Sequence, residues 1–155
     1  MVDSNLFQQL IVRRLRGRLR SAELPEHVGL IMDGNRRWAR RAGLANASFG
    51  HRAGAEHLGD ALAWCTAAGI RHLTVFVCST ENLQRRDADE VAYLMRLIEE
   101  AVASRLPDKG WQLHIAGRLN LLPETTAHAL IEARDATRDV PSGQHLTLAI
   151  GYGGR

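Results

Sequence analysis

The chain has 155 residues, of which 45% are hydrophobic, 24% charged and 5% aromatic. That balance excludes a disordered or fibrous polypeptide and leaves room for one domain around one core. The formal charge of +3 is unevenly spread: residues 1–41 hold nine arginines against four acids, whereas the remaining residues hold eleven basic groups against thirteen acidic ones. A positive front of this kind suits a polyanionic partner, whether phosphates, nucleic acid or an anionic membrane surface.

Two cysteines, Cys65 and Cys78, show no CxxC spacing, and no leader pattern precedes them, so a reduced cytoplasmic setting is expected. The longest uncharged stretch, Val140 to Gly154, contains Pro141, Ser142, Gln144 and His145 and cannot span a bilayer. The expectation is a soluble protein or one held at a membrane face.

Leu6, Leu10, Leu15 and Leu19 fall near one face among five arginines, which predicts a basic amphipathic arm over residues 1–24. Such an arm either docks on lipid headgroups or is simply solvated. From Pro25 to Arg155 a single domain is expected. Val28 to Met32 is a short apolar run and predicts a buried strand ending at Asp33-Gly34. After a loop containing Gly43 and Gly50, Leu58, Ala61, Leu62 and Cys65 predict a helix over Ala53 to Ala68, stopped by Gly69. His72 to Cys78 is rich in β-branched residues and predicts a second strand. The acids of Asp87 to Glu90 open an amphipathic helix carrying Val91, Leu94, Met95, Ile98 and Val102. Trp111 to Ala116 predicts strand three, Pro123 to about Arg138 a helix, and Leu146 to Ile150 strand four. The order β-α-β-α-β-α-β predicts a three-layer α/β fold with a parallel sheet and sites at the carboxyl ends of the strands.

Two of those ends carry polar clusters, Asp33 to Trp38 and Ser79 to Asn82. The first joins a carboxylate, a glycine that permits close backbone approach, and the guanidinium forks of Arg36 and Arg37. A helix starting near Asn35 would add free N–H groups. A carboxylate beside a phosphate seat makes sense chiefly where Mg2+ joins the two. The plainer alternatives are a tight turn for Asp33-Gly34, a solvated basic face for Arg36, Arg37, Arg40 and Arg41, a helix cap for Ser79, and an ordinary loop for Gly151 to Arg155. Neither a P-loop nor a GxGxxG spacing occurs. His51 and His57 lack the partners of a zinc site; His51, placed just before the helix, is the better anion donor, and His57 is expected on the helix surface. The apolar faces of the two long helices are most simply core, although splayed helices would line a tunnel for an apolar ligand.

The segments His27-Val-Gly-Leu-Ile-Met-Asp-Gly-Asn-Arg-Arg-Trp-Ala-Arg40, Gly50-His-Arg-Ala-Gly54, Ser79-Thr-Glu-Asn82 with Arg85, and Gly151-Tyr-Gly-Gly-Arg155 resemble, in order and spacing, the motifs of the cis-prenyltransferases. The resemblance implies condensation of isopentenyl diphosphate with an allylic diphosphate to give Z double bonds, with Mg2+ as cofactor. It implies that Asp33 binds the metal and assists departure of the diphosphate, and that Gly34, Asn35, Arg36, Arg37 and Trp38 hold the allylic diphosphate and its first carbons. It further implies diphosphate contacts for His51 and Arg85, and substrate contacts for Ser79, Thr80, Glu81 and Leu83. Asn82 matches the residue assigned to proton removal; an amide is a poor base, so its expected part is to orient the proton transfer.

Three departures from the family pattern matter. Leu44 to Ser48 contains no basic residue where many members carry an arginine, and Asn46 falls there. Leu83 follows Asn82 where long-chain members often carry tryptophan, which is similar to a short-chain subgroup making Z-farnesyl-type products. The family also continues past Gly-Gly-Arg into a segment that supplies the isopentenyl diphosphate arginines, a second acid and much of a homodimer contact. The resemblance therefore implies the front portion of a domain, incomplete relative to the family, with the acceptor half-site absent and weak or no turnover alone. A non-catalytic partner subunit or pseudo-enzyme is the alternative. A nucleic-acid binder is disfavoured, because only Trp38 stands near the arginines and no standard module is present.

Overall fold

The structure is a computed structural model and describes residues 13, 14, 17, 23–104, 110–141 and 143–153. The amphipathic arm expected over residues 1–24 lies almost wholly outside the described residues. Ten elements follow in order: β1 (His27–Ile31), α1 (Asn35–Arg41), α2 (Ala47–Ala68), β2 (His72–Ser79), α3 (Thr80–Arg85), α4 (Ala88–Ser104), β3 (Trp111–Ala116), a 3-10 turn (Leu119–Leu121), α5 (Glu124–Ala136) and β4 (Gln144–Tyr152). The strands form one sheet in the order β1-β2-β4-β3, with every neighbouring pair parallel. The parallel α/β architecture expected from the alternation is thus present. Parallel pairing brings the ends of β1, β2 and β4 to one edge.

Side chains alternate across a strand, so the register sorts them into two faces. Leu73, Leu146 and Leu113 form one row and Val75, Leu148 and Ile115 the next. This face carries the core, packed with Leu62 of α2, Leu94, Ile98 and Val102 of α4, and Leu130 and Ala133 of α5. Trp111 is fully buried and its Nε1 donates to Thr66 Oγ1 at 3.0 Å, tying β3 to α2. The opposite face presents His27, Ile31, His72, Thr74, Phe76, His114, His145 and Thr147, all exposed or half-buried. Its histidines touch one another: the His72 and His145 rings stack at 4.9 Å, and His114 and His145 share a hydrogen bond of 3.0 Å.

Two of the boundaries that differ from expectation bear on the site. Helix α2 begins at Ala47 rather than Ala53, because the Asn46 side chain caps it by accepting from the Ser48 N–H at 2.9 Å. Gly50, expected in a loop, is inside the helix, and His51 lies in its second turn rather than ahead of it. The glycine serves packing: a Cβ on Gly50 would collide with the backbone carbonyl of Asn35 in α1. Strand β4 extends to Tyr152, through the first residues of the segment that could have been a plain loop. Among the described residues no helix is long and apolar enough to cross a membrane.

Candidate active site

At the tip of β1 the chain turns through Asp33 and Gly34 into α1. Asp33 Oδ1 accepts from the Gly34 N–H at 2.6 Å and Oδ2 accepts from Arg37 Nη2 at 3.1 Å. Gly34 stands at φ 94°, in the left-handed region that favours glycine, and directly precedes the helix. The first intrahelical bond runs from the Trp38 N–H to the Gly34 carbonyl at 2.8 Å, so α1 opens on N–H groups without helical partners. The result is a polar cavity of about 260 Å³ lined by Met32, Asp33, Gly34, Asn35, Arg36, Arg37 and Arg40 from the β1–α1 region and by His51 and Arg86 from α2 and the residue after α3.

The second wall is organised by Glu90, in the first turn of α4, whose side chain is mostly buried. Its Oε1 accepts from His51 Nε2 at 2.9 Å and pairs with Arg86 Nη1 at 3.4 Å, while Oε2 stands 3.9 Å from Arg36 Nη1. A carboxylate only accepts, so His51 carries its proton on Nε2. Beneath this wall Cys78 is buried at the end of β2, and burial pushes its thiol pKa up, partly opposed by the nearby Arg86 charge.

Below the polar cavity lies a larger, mainly apolar one of about 470 Å³ between α2, α4 and the core face of β2 and β4. Leu58, Leu62 and Ala63 line it from α2, Leu94, Leu97, Ile98, Ala101 and Val102 from α4, and Val75, Val77, Leu146 and Leu148 from the sheet. The helix faces are therefore core and cavity wall at once. Met32, Asn35, His51 and Arg86 belong to both cavities, so the polar one adjoins the apolar one across these four residues.

The undecaprenyl diphosphate synthase family model matches residues 31–155. The chain belongs to this prenyltransferase family. It is 58% identical over 158 residues to an isoprenyl transferase of Streptomyces fradiae, a match covering 100% of this chain and 61% of that protein. It is 44% identical over 147 residues to a (2Z,6E)-farnesyl diphosphate synthase of Thermobifida fusca, covering 95% of this chain and 57% of that one. The crystal structure of lavandulyl diphosphate synthase from Lavandula x intermedia with dimethylallyl diphosphate superposes with a TM-score of 0.80 at 31% identity, covering 84% of this chain and 56% of that chain. The chain thus spans little more than half the length of relatives it matches.

Against this prenyltransferase background the remaining predicted residues divide. Asp33, Gly34, Asn35, Arg36, Arg37 and His51 converge on the polar cavity, whereas Trp38 is half-exposed on α1 and does not line it. Ser79 caps α3, its Oγ accepting from the Asn82 N–H at 3.0 Å, so the cap alternative for this segment is realised. Thr80 donates to Glu81 Oε2 at 3.2 Å and sits against Gly153, where an added Cβ would come within 3.1 Å of Thr80 Oγ1. The β2 and β4 tips therefore meet. Asn82 is half-buried and Leu83 packs on the core, but neither these two nor Ser79, Thr80 or Glu81 lines either cavity. Arg85 is exposed and lines neither cavity, whereas its neighbour Arg86 lines both. Arg86 and Glu90 are the residues that sequence reading passes over; the signal available was two adjacent arginines followed at i+4 by an acid. His57 is exposed and pairs with Asp60, as a surface residue does.

Among the described residues no three His, Cys, Asp or Glu side chains converge to hold a metal ion. The donor set nevertheless suits a hard cation bound in part by substrate, because Mg2+ needs only one or two carboxylates when phosphates and water complete its octahedron. Asp33, exposed and lining the cavity beside the arginines, is such a carboxylate.

Proposed function

We propose that this chain supplies the allylic-diphosphate half of a cis-prenyl diphosphate synthase. The observation that carries the reading is the shared wall: a cavity of arginines and one carboxylate adjoins, across Met32, Asn35, His51 and Arg86, an apolar cavity between two helices. An amphiphile with a charged head and a hydrocarbon tail fits that pair of cavities, and an allylic diphosphate is such a molecule.

Arg36 and Arg37 face the head with guanidinium forks that match phosphate oxygens, and they stabilise the charge that grows on the pyrophosphate as the allylic C–O bond breaks. Asp33 would hold Mg2+ against the same oxygens; when bound, the ion neutralises developing negative charge on the leaving group. Asp33 also pairs with Arg37 at 3.1 Å, an exposed contact that weakly favours the same orientation of the fork. The apolar cavity takes the tail and keeps water from the allylic centre. Asn82, in α3 and outside both cavities as they stand, is the residue that the resemblance assigns to the proton transfer; its amide would orient the proton leaving the acceptor carbon toward the released pyrophosphate. The names of relatives such as the Thermobifida fusca (2Z,6E)-farnesyl diphosphate synthase, together with Leu83, support a short product.

The test is product formation from radiolabelled isopentenyl diphosphate and an allylic diphosphate, in a version carrying the family's remaining length. Asp33→Ala is expected to lower turnover by about 10²–10³-fold or more, the loss typical of removing a charge-stabilising group. Unchanged turnover refutes the assignment.

A further inference from the structure

The two edges of the sheet differ in how their backbone is satisfied. The Met32 N–H donates to the Phe76 carbonyl at 3.2 Å and the Glu26 carbonyl accepts from the His72 N–H at 2.9 Å, so the even-numbered residues of β1 turn their backbone groups toward β2. The N–H groups and carbonyls of His27, Gly29 and Ile31 therefore point away from the sheet. Among the described residues only one of these groups has a partner, the Ile31 carbonyl, which accepts from the Asp33 N–H at 2.9 Å. The opposite edge is closed at its centre, where the Leu113 N–H of β3 donates to Thr137 Oγ1 at the end of α5.

The side chains of β1 leave the same edge uncovered. His27, Gly29 and Ile31 are all exposed, Ile31 at 76%, and a Cβ on Gly29 would meet nothing within 4 Å. Edges are ordinarily blunted by lysine, proline or a bulge, and the strand His-Val-Gly-Leu-Ile has none of these. A bare row of donors and acceptors beside an exposed isoleucine is a template for another strand.

We propose that the β1 edge is an interface between two copies of this chain, paired antiparallel about Gly29. The edge is complementary to itself. With Gly29 opposite the partner's Gly29, residues of one parity form the hydrogen-bonded pairs, so Gly29 exchanges both bonds with its counterpart and His27 does so with the partner's Ile31. Every outward N–H then has an acceptor, the Ile31 carbonyl using its second lone pair. On the face opposite the core, the His27 ring comes beside the partner's Ile31 and covers part of its apolar surface. The positive fronts of the two copies leave from opposite ends of the paired strands, so they do not repel across the contact. One short strand from each copy makes a small interface, and the dimer is weak and reversible.

The test is oxidative cross-linking of Gly29→Cys, followed by non-reducing electrophoresis and mass spectrometry. In a hydrogen-bonded antiparallel pair the Cα atoms stand about 5.5 Å apart, within the span of a disulfide. The variant is expected to link into dimers at least ~10-fold faster than Ile131→Cys, a control on the surface of α5. In analytical ultracentrifugation the wild-type chain is expected to be monomeric at about 1 µM and mainly dimeric at about 100 µM, as befits a small interface. Ile31→Lys charges the edge at a residue that lines neither cavity, and it is expected to weaken the dimer at least ~10-fold while inorganic pyrophosphate binding stays unchanged. A wild-type chain still monomeric at that higher concentration overturns the proposal, as does a Gly29→Cys variant that links no faster than the control; the edge is then left to the residues before Glu23 or to a strand of another polypeptide. A dimer that Ile31→Lys leaves intact overturns it as well, because the contact is then elsewhere.

Discussion

The backbone carbonyl of Asn35 occupies the space that a Cβ on Gly50 would need. One turn further along α2, a Cβ on Gly54 would stand 3.0 Å from the Asn35 side-chain amide. The two glycines form a smooth strip on which the first residue of α1 lies, and this strip sets how near Asn35, Arg36 and Arg37 come to His51. Gly50→Ala is therefore expected to destabilise the fold by about 1–3 kcal/mol, the cost of overpacking a close contact. Urea denaturation measures it. A variant as stable as the wild type would mean that α1 can shift without penalty, and the seat would not be rigid.

Thr137 gives a second, independent test of the scaffold. Its buried Oγ1 accepts from the Leu113 N–H at 2.9 Å and donates to the Ala133 carbonyl at 2.9 Å, joining the edge strand β3 to the end of α5. Thr137→Val keeps the shape and leaves the Leu113 N–H unpaired. The expected loss is about 1–3 kcal/mol in equilibrium unfolding; no loss would show that the strand edge finds another acceptor.

Much of this arrangement is legible in the sequence, and the illegible parts have identifiable causes. Strand β3 is found at Trp111–Ala116, as expected, because Trp111, Leu113 and Ile115 alternate with Gln112 and His114 between Gly110 and Gly117. The start of α2 is hidden because Gly50 reads as a loop former, while its use is a tertiary contact with Asn35. Strand order is not written in local periodicity: β4 inserts between β2 and β3, which only long-range pairing decides. The residues that converge on the polar cavity from the β1–α1 turn and α1 were readable from residue chemistry at a strand tip. Arg86 was not, since whether Arg85 or Arg86 points inward depends on where α3 ends, and helix ends are the least legible feature.

The apolar cavity makes a prediction about tail length. Ala101 lines it from α4, about 16 Å along the helix from Glu90 at 1.5 Å per residue, so it sits well below the polar mouth. Ala101→Phe is expected to leave inorganic pyrophosphate binding unchanged and to weaken binding of a fifteen-carbon allylic diphosphate by at least ~10-fold, given about 0.8 kcal/mol per displaced methylene. Equal binding of both ligands by the variant would place the tail elsewhere.

Cys78 reports on the integrity of the same region. Burial raises its thiol pKa, so the reactive thiolate is scarce at pH 8 and becomes available only as pH rises or the fold opens. Alkylation of Cys78 by iodoacetamide at pH 8, followed by mass spectrometry, is expected to be at least ~10-fold slower in the native chain than in urea. Comparable rates would show that the end of β2 is open to solvent.

The most direct measurement is a crystal structure of the chain with an unreactive allylic thiodiphosphate. The account predicts the two phosphate groups between Arg36, Arg37 and Arg86 above Asp33, with the hydrocarbon passing His51 into the space between α2 and α4. A diphosphate bound away from Asp33 and Arg37, or a tail lying on the outer surface of those helices, would contradict it.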